Sequence, residues 1–321
     1  MAFLPRRGLR GGHVQTVASF LIPRRIDLPA PEDRLIEVLP GVQVRCLCHW
    51  QPDRTKALTI IIVHGLEGSS DSQYVRGITQ KALAAGMNVV RYNQRNCGGT
   101  DELAPVIYHS GLSSDIAAVA REVVEKDGVS KFALIGFSMG GNLVLKLAGD
   151  WGSSPPPQFR AVAACCPAMN MADCADALHE PLNRVYEIYF LFNLLRRMRR
   201  KSRLFPKHFD DKRLRGVRSL RQFDHQVTAH YCGFAGADDY YARSSASRVV
   251  DRIAVPALVL HAANDPFIRI PAETRAKIAA NPNITFIESA DGGHCAFVGP
   301  PNGVDDGFWA ESQIVNFLRK F

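Results

Sequence analysis

Ala133-Leu134-Ile135-Gly136-Phe137-Ser138-Met139-Gly140-Gly141-Asn142-Leu143-Val144-Leu145 decides the reading of this chain. An apolar run enters Gly-x-Ser-x-Gly and a helical pattern leaves it. That strand–turn–helix setting is what a nucleophile elbow requires. In so tight a turn, Gly136 and Gly140 allow backbone to pass where a Cβ would clash. Ser138 is expected in a strained conformation, its Oγ raised above the sheet edge. Glycine and serine are common, so the motif alone is weak. The flanking patterns separate it from an ordinary glycine-rich turn.

A serine hydroxyl needs a base, a group that orients the base, and donors for a developing oxyanion. Val255-Pro256-Ala257-Leu258-Val259-Leu260-His261-Ala262-Ala263-Asn264-Asp265-Pro266 reads as a buried strand ending in an acid. Pro266 breaks the strand, which puts Asp265 on the loop just past it. A helix is expected from Ala272 to Ala280 and another strand from Ile284 to Glu288. The glycine-rich loop Ala290-Asp291-Gly292-Gly293-His294 follows. Ser138, Asp265 and His294 then stand in the order serine, acid, histidine, which differs from the orders in unrelated serine-hydrolase folds.

The rivals are weaker. There are ten histidines, and most histidines are structural or solvated. His261 precedes the acid inside its strand and is expected to be packed there. No buried strand precedes Asp238 or Asp239. Asp291 and Glu288 lie too near His294 for separate-loop geometry. Cys295 adjoins His294, but the elbow already supplies a nucleophile. One oxyanion donor is expected from the N–H of Met139, the residue after the nucleophile. A second is expected from Leu58-Thr59-Ile60-Ile61-Ile62-Val63-His64-Gly65-Leu66-Glu67-Gly68-Ser69-Ser70, a buried strand whose exit turn lets Leu66 present its N–H. The His64 side chain reads as a brace for that loop. Each aimed donor is worth roughly 3–4 kcal/mol in acyl transfer.

The chain has 321 residues, 46% of them hydrophobic, which suffices for one large core. No apolar run reaches the ~18 residues of a spanning helix. Met1–Gly12 has arginines but no apolar segment of a secretory signal. The eight cysteines form no Cys-x2-Cys pair, so a zinc site is not expected, and scattered thiols suit a reducing cytoplasm. Strands and helices alternate from Leu58 to Asp150: a helix over Gln73–Ala85, a strand over Met87–Tyr92, a helix over Ser113–Lys126, then the elbow strand. This is a parallel, doubly wound α/β pattern. Residues 34–50 alternate as an antiparallel edge pair. Trp151–Gln158 reads as a loop and Ala161–Cys165 as a strand.

From 169 to 248 the sheet pattern lapses, and a helical cap insertion is expected within a single domain spanning 1–321. Leu182–Leu204 reads as a helix. Its residues Tyr189, Phe190, Leu191, Phe192, Leu194 and Leu195 could wall an acyl tunnel. Arg196, Arg197, Arg199, Arg200, Lys201 and Arg203 read first as a solvated basic face. Contact with an anionic membrane surface is the second reading. A net charge of +8 permits nucleic-acid binding, but no recognition motif supports it. Gly11-Gly12-His13-Val14-Gln15-Thr16 has no role derivable from the residues.

Taken together, these segments resemble the α/β-hydrolase superfamily, and within it the YheT-like branch (AB hydrolase family 4) that includes mammalian abhydrolase-domain lipases. The marks are Gly12-His13-Val14-Gln15-Thr16, His64-Gly65-Leu66-Glu67-Gly68-Ser69-Ser70, Arg91-Tyr92-Asn93-Gln94-Arg95-Asn96-Cys97-Gly98-Gly99, and Tyr108-His109-Ser110-Gly111. To these add the elbow, Asp239-Tyr240-Tyr241-Ala242-Arg243-Ser244-Ser245, Asn264-Asp265-Pro266 and Gly292-Gly293-His294. The resemblance covers nearly the whole chain. It implies hydrolysis of short- to medium-chain acyl esters, of acylglycerol or phospholipid type, without metal or organic cofactor. The expected alternatives are acyl transfer to an alcohol and a non-catalytic ligand-binding protein on the same fold.

Overall fold

In the computed structural model, which describes residues 2–301, 303 and 305–321, the elbow strand lies in the interior of one eight-stranded sheet. The chain opens with helix α1 (Gly12–Leu21) and the hairpin β1 (Glu32–Leu39) and β2 (Val42–His49). The alternating part follows: β3 (Thr59–Val63), α2 (Gln73–Ala84), β4 (Asn88–Tyr92), α3 (Ser113–Asp127), β5 (Phe132–Phe137), α4 (Met139–Trp151) and β6 (Phe159–Cys165). Helices alone follow: α5 (Met171–His179), α6 (Arg184–Leu204), and the short α7 (Leu220–Phe223), α8 (Ala229–Cys232) and α9 (Ala237–Ser244). The sheet then resumes with β7 (Ala257–Ala262), α10 (Ala272–Ala280), β8 (Ile284–Ser289) and α11 (Trp309–Leu318).

The strand order is β1-β2-β4-β3-β5-β6-β7-β8. β1 pairs antiparallel with β2, and β2 with β4, while the remaining six strands run parallel. Every residue of β3, β4, β5 and β7 is buried, as strands covered by helices on both faces must be. α2 packs against α11, and α3 against α4, closing those layers. β1 and β8 lie at the edges; β1 alternates in burial, and β8 is half-buried to exposed along its length. The helical segment enters between β6 and β7, beyond the carboxyl ends of the parallel strands, where ligand sites of open α/β sheets lie. Among the described residues no helix is long and apolar enough to cross a membrane.

Two expectations about the helical segment need correcting. The basic face of α6 is not uniformly solvated. Lys201 is fully buried, its ammonium donating to the carbonyls of Asp101 (2.9 Å) and Ala104. Arg197 is mostly buried and clasps both carboxylate oxygens of Glu67 at 2.9 and 3.0 Å. Both are turned inward because the β4–α3 loop and the loop after β3 offer acceptors there. Nor do all six apolar residues expected to form a tunnel wall do so: Phe192 faces solvent and Leu191 packs into the core. The expected loop from Trp151 also begins one residue late, since Trp151 closes α4.

Candidate functional site

Ser138 joins β5 to α4 with φ 55° and ψ −119°, a conformation that holds a non-glycine residue under strain. The neighbours explain why the turn closes. A Cβ on Gly136 would lie 2.2 Å from the Gly140 carbonyl oxygen, and one on Gly140 would lie 2.2 Å from that of Val63. The Ser138 N–H is fixed to the Cys165 carbonyl at 2.9 Å. Gly65 backs onto the serine, a Cβ there falling 3.1 Å from that of Ser138.

Asp265 follows β7, and its side chain is fully buried. One oxygen accepts the N–H groups of Phe267 (3.1 Å) and Ile268 (3.0 Å), and the other lies 2.8 Å from His294 Nδ1. Burial alone would raise its pKa. The His294 charge and hydrogen bond, helped by the two N–H donors, outweigh burial and hold the carboxyl below its ordinary value. An ionised carboxylate only accepts, so in its neutral form His294 carries the proton on Nδ1 and leaves Nε2 free to take one. The Phe267 ring lies 4.3 Å from the imidazole, centre to centre. Among the described residues Ser138 Oγ makes no hydrogen bond to His294, but both line one cavity. Such bonds commonly tighten only with substrate in place.

The loop after β3 is heavily braced. His64 Nδ1 lies 2.8 Å from the Gly65 carbonyl oxygen, and His64 Nε2 accepts the Gln94 N–H at 3.2 Å. Burial, with the nearby Arg197 charge, pushes the His64 pKa down to about 4, so this ring is neutral and fully occupied. The Gly65 N–H donates to Tyr74 Oη at 2.9 Å, and Tyr108 Oη donates to Glu67 at 2.6 Å. The Leu66 N–H has no acceptor among the described residues. Met139 is the first residue of α4, where an N–H finds no carbonyl within the helix.

Ser138 stands where two hollows meet. The inner one, about 100 Å³, runs beneath α5, α6 and α9, with walls that include Met139, Leu178, Phe190, Leu194 and Tyr241. Asp224 lies in its wall, bonded by the hydroxyls of Tyr241 (2.7 Å) and Thr228 (2.8 Å). Burial raises the Asp224 pKa to about 6. The outer hollow, about 230 Å³, contains His294 and Cys295 and is bordered by Phe20, Tyr189 and Phe190. Cys295 Sγ lies 3.9 Å from His294 Nε2, but burial pushes its thiol well above the usual range. Cys165, Cys166 and Cys295 lie within ligand distance of one another, and so do Cys166, His261 and Asp265. Burial likewise raises the Cys165 and Cys166 thiols, and Asp265 is engaged with His294. His261 is packed in β7. The rival acids lie elsewhere: Asp238 pairs with Arg221 and Asp239 with Arg243.

A family model for the alpha/beta hydrolase fold matches residues 59–301. YheT of Escherichia coli (strain K12), whose name assigns it provisionally as an esterase, is 30% identical over 322 aligned positions, covering 99% of this chain and 93% of YheT. This chain belongs to the α/β-hydrolase fold family. It is also 31% identical to mouse Phospholipase ABHD3 over 250 positions, which cover 77% of this chain and 60% of that protein. The esterase Pf2001 of Pyrococcus furiosus superposes with a TM-score of 0.61 at 15% identity, covering 93% of this chain and 98% of that one. That likeness shows the shared fold.

In this α/β-hydrolase the N-terminal motif that the residues alone could not explain braces both loops of the site. The His294 N–H donates to Thr16 Oγ1 at 2.9 Å. Gln15 pairs with both backbone groups of Val298, at 2.8 and 3.1 Å. The Gly11 N–H meets the Asp291 carboxylate, and Gly12 lies so close to the Asn264 carbonyl that a Cβ would fall 1.8 Å from its oxygen. The available signal was a glycine followed by a polar pair at one helical turn's start. The partners of Gly11, Gln15 and Thr16 lie 278 to 283 residues away.

Proposed function

We propose that this chain is a serine carboxylesterase working through an acyl-enzyme. The observation that carries the reading is a strained serine at a β–α turn opening into the same hollow as a histidine whose Nδ1 is held by a buried carboxylate. The esterase and phospholipase names of its relatives support ester hydrolysis. Ser138 Oγ attacks the ester carbonyl while His294 Nε2 takes its proton. Asp265 keeps the tautomer and stabilises the imidazolium. The Leu66 and Met139 N–H groups receive the oxyanion. His294 then protonates the departing alcohol, and water repeats the sequence on the acyl-enzyme.

The two hollows give the substrate a direction. His294 must protonate the leaving group and borders only the outer hollow, so the alcohol faces outward. The acyl chain then occupies the apolar inner hollow beneath α5, α6 and α9, and residues 169–248 act as its cap. Acyl-chain profiling with p-nitrophenyl esters tests this, with and without a competing alcohol. Turnover should rise with chain length, then fall once the inner hollow is full. Hydrolysis product should dominate even with alcohol present. No turnover of any ester would overturn the reading, and dominant alcoholysis would make the chain an acyltransferase.

A further inference from the structure

The exposed large apolar side chains are not scattered over the surface. Of thirteen among the described residues, nine lie on two neighbouring helices, Leu204 at the end of α6 included, and a tenth, Leu182, just before α6. Val14, Val17, Phe20 and Leu21 form a stripe along α1. Leu182, just before α6, continues into Val185, Ile188, Tyr189 and Phe192 along that helix at helical spacing. Phe20 is 67% and Phe192 61% exposed. Leaving such side chains in water forgoes the usual gain of burial, and a contiguous patch of them marks a contact surface.

The two stripes form one face. The His13 ring of α1 stacks on the Tyr186 ring of α6, 5.7 Å between centres and 4° from parallel, with Nδ1 3.0 Å from the tyrosine oxygen. The outer hollow opens between them, bordered by Ser19 and Phe20 on one side and Tyr189 and Phe190 on the other. The apolar face therefore surrounds the entrance to Ser138 and His294.

Charge says what covers it. α1 carries no charged residue. The one acid of α6, Glu187, is buried. Beyond Phe192 the exposed stripe of α6 continues as Arg196, Arg199 and Arg203, while exposed Arg10 and Arg25 flank α1. An apolar face flanked by arginines suits a lipid surface bearing anionic headgroups. A second copy docked face to face would offer these arginines no exposed acid from α1 or α6.

We propose that this face of α1 and α6 seats on the surface of an anionic lipid assembly, and that ester substrates pass from that layer directly into the outer hollow. The proposal rests on the esterase reading for its substrate, but the surface itself is measured without catalysis. The full chain would be sedimented with vesicles of phosphatidylcholine containing one third phosphatidylglycerol, with pure phosphatidylcholine, and with added salt. The variant carries Val17→Ser, Ile188→Ser and Phe192→Ser, none of which lines either hollow. Wild type should bind the anionic vesicles, less in salt, and the variant about tenfold less or weaker. Arg196→Gln with Arg199→Gln and Arg203→Gln should remove the preference for anionic vesicles. Both variants should hydrolyse a soluble p-nitrophenyl ester as wild type does. Absent wild-type binding, or binding equal in wild type and the apolar variant, would overturn the proposal. So would a solution dimer that the apolar variant converts to monomer, because the occupant would then be a second copy. Inactive wild type with intact vesicle binding would instead sink the esterase reading alone.

Discussion

Ser138 sits at φ 55° in a turn whose closeness is set by glycine on either side, so its hydroxyl has little packing to lose. Ser138→Ala should bring ester turnover to background and leave thermal melting unchanged. Thr16 offers a subtler case. Its hydroxyl accepts the His294 N–H but lines neither hollow, which makes it a positioning residue. Thr16→Val keeps the shape but removes the acceptor, and should cost on the order of ten- to a hundredfold in kcat through a misplaced base. Thr16→Ser should restore most of it. Kinetics of both variants beside their melting curves would check this, since a purely structural role would move melting and leave kcat alone. That Ser138, Asp265 and His294 lie just past the ends of strands was legible, because each follows a local strand-and-turn pattern. Thr16 and Gln15 were not, because what they hold is brought to them only by the folded chain.

At the scale of elements, α6 shows why side-chain type does not settle exposure. Its arginines and lysine read alike in the sequence, yet Arg197 and Lys201 turn inward and Arg199 outward. Arg197 pairs with a buried Glu67, the residue after Leu66. Arg197→Met should therefore strand that carboxylate and destabilise the fold by about 3–5 kcal/mol, lowering turnover as the loop loosens. Arg199→Gln should change stability by less than about 0.5 kcal/mol. Chemical denaturation of the two variants would separate them. Leu194, which does wall the inner hollow, makes a matching test of substrate fit: Leu194→Trp should shorten the preferred acyl chain. Strands β3, β5 and β7 were legible from short apolar runs. The partition of α6 was not, since helical spacing fixes which residues share a face but not what the loops opposite will offer.

Across the whole molecule, acid stability follows from buried rings. Burial lowers the pKa of His49, His64 and His109 to about 4 in each case, with arginine charges adding to it. Between about pH 6.5 and 4 the unfolded chain binds protons that the native state refuses, so stability falls as pH falls through that window. Asp224 works the other way: its pKa is raised to about 6, so the native state binds the extra proton between pH 6 and its ordinary value near 3.8. Melting temperature should decline on acidification from pH 6.5, and Asp224→Asn should steepen the decline. The parallel topology, the edge hairpin and the helical insertion were all legible from period and chain order. The docking of α1 across two loops was not, as it depends on contacts between the two ends of the chain. All of this chemistry depends on Ser138 being the nucleophile of one relay with His294 and Asp265. Reaction with a fluorophosphonate probe, located by peptide mass spectrometry, tests it most directly. A single adduct is expected, on Ser138, forming far more slowly in His294→Ala. Labelling of Cys295, or equal labelling in that variant, would contradict it.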